Sequence, residues 1–306
     1  MRTTAELRKL LGRKEILVAP GAYDALVARI IEKAGFEAVY MTGAGTSTCL
    51  LGMPDVGLAT LTENIMNAKY IASAVSIPVI ADCDTGYGNA INVMRAISEY
   101  IRAGVASVHL EDQVMPKRCG HLAGKVLVSL EEAVGKIRAA DKVRRDLDPD
   151  FVIIARTDAR TAVGGGVDEA IRRGNEYAKA GADVVFPESP LSVKELELFA
   201  KEIKAPLLAN MVEFGNTPIL TAKELQHLGY RIVLWPGSAF GLVAGQVTDL
   251  MVELKKNGTT KAFMEKMMPL TKIWYEVEGL KEVKELEKEF LPSEEVQRKY
   301  EKSRGL

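Results

Sequence analysis

Lys117-Arg118-Cys119-Gly120-His121 sets a thiol between two cations, with an imidazole two residues on. Neighbouring positive charge stabilises a thiolate, so Cys119 is placed to give or take a proton, and His121 is placed to tune it. Gly120 permits a tight turn and close approach by another group. A second cluster is Asp82-Cys83-Asp84. In an extended segment both carboxylates project to one side and Cys83 to the other, where it packs as a small hydrophobe. Like charges so close need a cation or a shared proton. With Glu111 at the end of the next apolar run, Asp82 and Asp84 suit a hard divalent ion: magnesium keeping several waters, or manganese. Arg156 is a fork for a carboxylate, and Gly43, Ala44 and Gly45 offer backbone N–H groups to another carboxylate or an oxyanion. Cation site, arginine and amides together point to an anionic, oxygen-rich small molecule.

These groups stand at the ends of short β-branched runs. Eight are expected as strands: Ile16 to Pro20, Ala38 to Met41, Pro78 to Ala81, Ser107 to Leu110, Phe151 to Ala155, Asp183 to Phe186, Pro206 to Ala209 and Arg231 to Leu234. Four follow one phrase, a small or apolar residue and glycine just ahead of the strand: Ala34-Gly35, Ala103-Gly104, Ala180-Gly181 and Leu228-Gly229. Glycine at a helix end before a buried parallel strand is the joint of an αβ unit. Helical patterns run over Ala22 to Lys33, Thr62 to Ala74, Glu131 to Val143, Asp168 to Ala180 and Ala222 to Leu228. Asp24 is available as a cap or a catalytic group. Eight alternating units predict a (β/α)8 TIM barrel of class α/β. An open doubly wound sheet is the rival, but no G-x-G-x-x-G turn follows the first strand.

A barrel collects function at the carboxyl ends of its strands. There stand Tyr40 and Thr42, Asp82 and Asp84, Glu111 and Asp112, Arg156 and Asp158, Glu188, and Asn210 with Glu213. Such groups seldom lie buried without partners, so their recurrence marks one site. His109, within an apolar strand, and His227, within a helix, read as structural. Helices are expected at Phe240 to Lys256 and Thr259 to Met267. A charged tail from Tyr275 to Leu306 should be one helix with an apolar face around Leu280, Val283, Leu286 and Phe290. No composition break marks a second domain: 1–306 reads as a single barrel domain, with 240–306 a helical extension for oligomerisation.

The 306 residues carry a net charge of −1, which offers no basic field to nucleic acid or anionic lipid. Three cysteines without C-x-x-C spacing argue against a disulfide framework or structural zinc. The first residues lack the apolar core of a signal peptide, and no run approaches the roughly 18 apolar residues of a membrane span. The expectation is a cytoplasmic protein with a small-molecule carboxylate partner.

The chain resembles the isocitrate lyase and phosphoenolpyruvate mutase superfamily, nearest its short 2-methylisocitrate lyases. The likeness is carried by Gly21-Ala22-Tyr23-Asp24, Tyr40-Met41-Thr42-Gly43, Asp82-Cys83-Asp84-Thr85-Gly86-Tyr87-Gly88, Glu111-Asp112-Gln113, Pro116-Lys117-Arg118-Cys119-Gly120-His121, Ala155-Arg156-Thr157-Asp158-Ala159 and Glu213-Phe214-Gly215-Asn216-Thr217-Pro218. It implies a magnesium-dependent barrel whose last helix is exchanged between subunits of a homotetramer. It implies metal ligation by Asp82 and Asp84 with Glu111, and a substrate surrounded by Thr42, Gly43, Ala44, Gly120, Arg156, Glu188 and Asn210, near a loop bearing Asp55. Cys119 would protonate the departing carbanion, while Tyr40, Asp55 and Glu111 all remain open as the base. The expected reaction is cleavage of a 2-hydroxy di- or tricarboxylate, with 2-methylisocitrate going to pyruvate and succinate. One departure matters. Arginines that hold extra carboxylates in methylisocitrate lyases are replaced here by Ser238-Ala239-Phe240-Gly241 and Thr271-Lys272, and no added cation follows His121, which leaves room for 2,3-dimethylmalate. The rivals are an oxaloacetate decarboxylase or phosphonomutase on the same scaffold, a Schiff-base aldolase using Lys117 or Lys125, and a non-catalytic carboxylate-binding protein.

Overall fold

The computed structural model describes residues 3–300. Eight strands, β1 (Leu17–Ala22), β2 (Val39–Met41), β3 (Val79–Asp82), β4 (Ser107–Glu111), β5 (Val152–Thr157), β6 (Val184–Pro187), β7 (Leu208–Asn210) and β8 (Ile232–Trp235), pair in parallel in the order β6-β5-β4-β3-β2-β1-β8-β7. A parallel bridge from Val185 to Leu207 joins the two ends, so the sheet curls into a barrel and the open-sheet alternative falls. The helices are α1 (Thr3–Gly12), α2 (Ala25–Lys33), α3 (Gly43–Leu51), α4 (Leu61–Ala74), α5 (Ala90–Ala103), α6 (Leu130–Leu147), α7 (Val167–Ala180), α8 (Val193–Glu202), α9 (Ala222–Leu228) and α10 (Ser238–Asn257). The repeated phrase does what its glycine implies: Gly35, Gly104, Gly181 and Gly229 take φ of 91°, 88°, 116° and 101°, which ends a helix and turns the chain into the next strand.

Strand alternation divides the core in two. Tyr40, Ile80, Ile154, Phe186, Leu208 and Leu234 fill the barrel, while Val39, Ala81, Val108, Ile153 and Ala155 belong to the apolar layer shared with the helices. Helix α1 closes the amino-terminal end: Leu7 and Leu10 join the barrel interior, and Arg8 donates to the Phe151 carbonyl and Asp183 at 3.0 Å each. Two residues further along the same inner rows, toward the carboxyl end, the side chains become Thr42, Asp82, Arg156, Glu188 and Asn210, with Glu111 two beyond His109 on β4. The site is thus the polar continuation of the apolar rows.

The chain divides after Leu242 into two compact units. In the second, the rest of α10 is followed by a 3-10 helix (Lys261–Lys266), α11 (Leu270–Lys272), a π-helical turn (Ile273–Val277), α12 (Leu280–Phe290) and α13 (Ser293–Tyr300). The segment expected as one helix from Tyr275 is therefore broken. Leu291 turns extended with ψ 153° because it precedes Pro292, which cannot continue a helix. Residues 301–306 of that expected helix lie outside the described residues. No residue of α10 or α12 is buried, and Val247, Met251, Val252, Leu286 and Phe290 are exposed. No helix among the described residues is long and apolar enough to cross a membrane.

Candidate active site

At the carboxyl end of the barrel lies a cavity of about 80 Å³, room for a molecule of several heavy atoms rather than one water. Tyr40, Thr42, Ala44, Asp55, Asp82, Cys119, Gly120, His121, Arg156, Glu188 and Asn210 line it, joined by Phe240, from the segment where the sequence lacks an arginine, and by Val212, Pro236 and Gly237, which the sequence did not single out. A larger surface groove of about 660 Å³ beside α8 and α9, which includes His227, has none of these groups.

Gly43 and Ala44 open helix α3 rather than a loop. Thr42 caps it, its hydroxyl accepting from the Gly45 N–H at 3.3 Å, which leaves the Gly43 and Ala44 amides free of intrahelical partners at the positive end of the helix dipole. A Cβ on Gly43 would overlap the Asp82 carboxylate, so only glycine admits that carboxylate here.

The aspartates depart from the extended geometry expected of them. Asp84 turns left-handed at φ 46°, and its N–H donates back to Asp82 Oδ1 at 2.9 Å. Burial would raise Asp82, but His109, Lys117 and Arg156 outweigh it and hold the carboxyl well below its usual range. Burial lifts Asp84 to about 6, against the pull of Lys117. Glu111 is pushed well up by burial despite Arg156 and Lys117, and neither of its buried oxygens has a hydrogen bond. Among the described residues no three His, Cys, Asp or Glu side chains converge tightly enough to chelate an ion. His109, read as merely structural, joins this cluster: its Nε2 is 2.7 Å from the Tyr40 hydroxyl and 3.5 Å from Asp82. Its inner-face position, two residues before Glu111, was the available signal. Burial, then Asp82, raises the Tyr40 phenol well above its normal value.

The thiol loop packs onto these strand ends. Lys117 does not flank the thiol: its ammonium is buried between Asp55 (2.6 Å) and Asp84 (2.7 Å), and Arg118 is exposed. The Cys119 N–H donates to the Asp55 carbonyl at 3.1 Å. Without the two cations beside it, Cys119 is raised by burial above the ordinary thiol value, so it rests protonated instead of as the thiolate expected from its neighbours. His121 acts on the sulfur through its backbone N–H, because its ring is engaged elsewhere: Nδ1 accepts from the Asn216 N–H at 3.0 Å and Nε2 lies 3.0 Å from Glu188. A Cβ on Gly120 would lie 2.5 Å from Arg156 Nη2 and from Glu188 Cγ.

Arg156 spends its fork on Asp158, Nε and Nη2 donating at 3.0 and 3.1 Å, and turns Nη1 to Glu111 at 3.3 Å. Glu188 would be raised by burial, but Arg156, His121 and Asn210 bring it down to about 2. Residues 7–255 match the family described as phosphoenolpyruvate phosphomutase. The chain belongs to that family. It is 49% identical to the 2,3-dimethylmalate lyase of Eubacterium barkeri over 94% of this chain and 98% of that one. It is 46% identical to the 2-methylisocitrate lyase of Aeropyrum pernix over 88% and 85%. The crystal structure of an oxaloacetate acetylhydrolase superposes with a TM-score of 0.89 at 39% identity, covering 94% of this chain and 97% of the other. One phosphomutase-family scaffold thus serves several chemistries, and the residues of the cavity must decide among them.

Two expected members of the site face elsewhere. Asp112 accepts from Thr157, the Asp158 N–H, Arg173 and Tyr177, so it ties β4 and β5 to α7. Glu213 bonds the Ser238 hydroxyl outside the cavity. Neither candidate Schiff-base lysine is a free amine. Lys117 is held well above its normal value by Asp84, Glu111, Asp82 and Asp55 against the effect of burial, and Lys125 donates to the Gly120 carbonyl. A Schiff-base lysine needs the opposite shift in this family's barrel as in any other.

Proposed function

We propose that this protein is a magnesium-dependent carbon–carbon lyase that splits a 2-hydroxy dicarboxylate of the 2,3-dimethylmalate type into pyruvate and propionate, with Cys119 as general acid. The observation that carries this reading is a cavity lined by a protonated thiol, by a single permanently cationic side chain, Arg156, and by the apolar Val212, Pro236 and Phe240. The third carboxylate of 2-methylisocitrate would find no second guanidinium or ammonium among the lining residues, whereas the methyl groups of dimethylmalate suit those apolar side chains.

The donors fit a hydrated cation rather than a bare one. Asp82 is ionised, Glu111 has two buried oxygens that accept no hydrogen bond and only the Arg156 guanidinium nearby, and all are hard oxygen ligands. Asp82 and Asp84, with Glu111, would hold magnesium and its waters. When bound, the ion draws charge from the 2-hydroxyl and its neighbouring carboxylate. Arg156 and the α3 amides orient the carboxylates, and the buried loop excludes water. Tyr40 keeps its proton and donates a hydrogen bond; Asp55, which lines the cavity and is paired with Lys117 at 2.6 Å, takes the hydroxyl proton. The C2–C3 bond then breaks, C2 becomes the pyruvate carbonyl, and its electron pair leaves on C3, delocalised into the adjoining carboxylate. Cys119 delivers its proton to C3, and solvent carries the proton on Asp55 back to the thiolate.

The test is a substrate panel with magnesium: 2,3-dimethylmalate, 2-methylisocitrate, isocitrate and oxaloacetate, following pyruvate and glyoxylate. Pyruvate should form fastest from dimethylmalate, and chelation by EDTA should abolish it. Faster cleavage of methylisocitrate would move the assignment to the tricarboxylate. Oxaloacetate alone would replace the lyase reading. We also propose that the exposed apolar helices of the second unit associate with further copies of the chain in a homotetramer, and three free cysteines suit a reducing cytoplasm.

A further inference from the structure

Cys119 to Leu122 is a hydrogen-bonded β-turn, the Leu122 N–H donating to the Cys119 carbonyl at 2.9 Å. Neither central residue, Gly120 or His121, has positive φ, which excludes the type II form. The two forms differ by a flip of the central peptide, here the one joining Gly120 to His121. A trans peptide carries its C=O and N–H on opposite sides. In this orientation the N–H is turned away from Lys125 and Ser189, to the side where the side chain of the turn's first residue, Cys119, can accept it, and it acts to lower the thiol; a flip would present the carbonyl instead.

The carbonyl side of that peptide is gripped. Lys125, fully buried, places its ammonium on the Gly120 oxygen, and the Ser189 hydroxyl donates to the same oxygen at 3.1 Å. Ser189 is itself left-handed at φ 57°. Asp158, which forks Arg156, lies 3.7 Å from the Lys125 ammonium and balances its charge. A charged donor on the carbonyl also polarises the peptide and strengthens its N–H as a donor.

We propose that Lys125 and Ser189 are positioning residues for the general acid: by fixing the Gly120–His121 peptide they aim its N–H at the Cys119 sulfur, where it stabilises the thiolate left after proton delivery. The proposal rests on the lyase reading for its purpose, but its test does not. Asp55, Arg156 and Glu188 act on the sulfur by charge, whereas Lys125 and Ser189 hold the Gly120 carbonyl, which gives them a route to the sulfur through the peptide.

In a Cys49→Ser background, which removes the exposed thiol, the rate of Cys119 alkylation by iodoacetamide is followed against pH. Lys125→Met, which keeps length and packing, should raise the apparent thiol pKa by about one unit, the size of one hydrogen bond to a charged group. Ser189→Ala should shift it in the same direction by less; because the Ser189 hydroxyl also lies 3.2 Å from Glu188 Oε1, the shift is read again in a Glu188→Gln background, where it should persist, and this pair decides the matter if Lys125→Met does not fold. An unmoved thiol pKa in folded Ser189→Ala overturns the inference. A shifted pKa in a protein that cleaves no 2-hydroxy acid would leave the inference standing and defeat the lyase reading alone.

Discussion

At the scale of single residues, protonation state decides roles. Burial keeps the Cys119 proton on, as an acid requires, and the sign follows directly: kcat should hold through neutral pH and fall only as pH rises through the thiol value, above the ordinary ~8.5. A kcat–pH profile that collapses below neutrality through a thiol would refute the assignment. Cys119→Ser should lower turnover by about 10²-fold or more, the usual worth of a positioned acid, while magnesium binding measured by calorimetry is retained. Gly120→Ala should also disable the enzyme without unfolding it, because the new methyl group would push the loop off Arg156 and Glu188; wild-type turnover in this variant would show that the loop does not close where it is drawn. Residue types were readable in the sequence because period-2 alternation carries each apolar inner row into one polar residue: Tyr40 to Thr42, Ile80 to Asp82, Ile154 to Arg156. Partners were not readable. Lys117 is adjacent to Arg118 and one residue from Cys119 in the chain, yet its ammonium lies with Asp55 and Asp84, on segments that only the fold brings together.

Among the elements, the joints carry the architecture. Asp112 binds β4 and β5 to α7 through Arg173 and Tyr177, all buried. Asp112→Ala should therefore cost about 1–3 kcal/mol, the toll of leaving the buried Thr157, Asp158 N–H and Tyr177 donors unsatisfied, while Arg173 keeps Glu169 at 2.7 Å. The measure is the urea midpoint, and an unchanged midpoint would show that the network is not structural. The eight strands were legible from their β-branched runs and the glycine phrase. Helix α3 was not, because Gly43, Gly45, Thr46, Ser47 and Thr48 are poor helix formers; it exists because Thr42 caps it and Gly52, at φ 63°, ends it. Helix α1 was passed over as a charged terminus, although Leu7 and Leu10 at helical spacing already showed the face that plugs the barrel. Pro292 was the overlooked stop between α12 and α13.

For the whole molecule, the second unit presents Val247, Met251, Leu286 and Phe290 to solvent, and exposed apolar side chains on such helices suit association with further copies. Deleting residues 275–306 should reduce the mass measured by sedimentation, and an unaltered assembly would reject exchange of the last helix. The fold itself does not fix the reaction, since lyases and an acetylhydrolase share it. The lyase reading requires that a carbanion left on C3 be protonated by the protein. The most direct measurement is proton NMR of dimethylmalate cleavage in D2O with magnesium, the propionate being converted to the ester of a single-enantiomer chiral alcohol so that its two configurations resolve. The expected result is pyruvate with propionate bearing one deuteron at C2 in a single configuration, formed rapidly by the parent and hardly at all by Cys119→Ser. Equal rates in the two proteins, or racemic labelling, would contradict it.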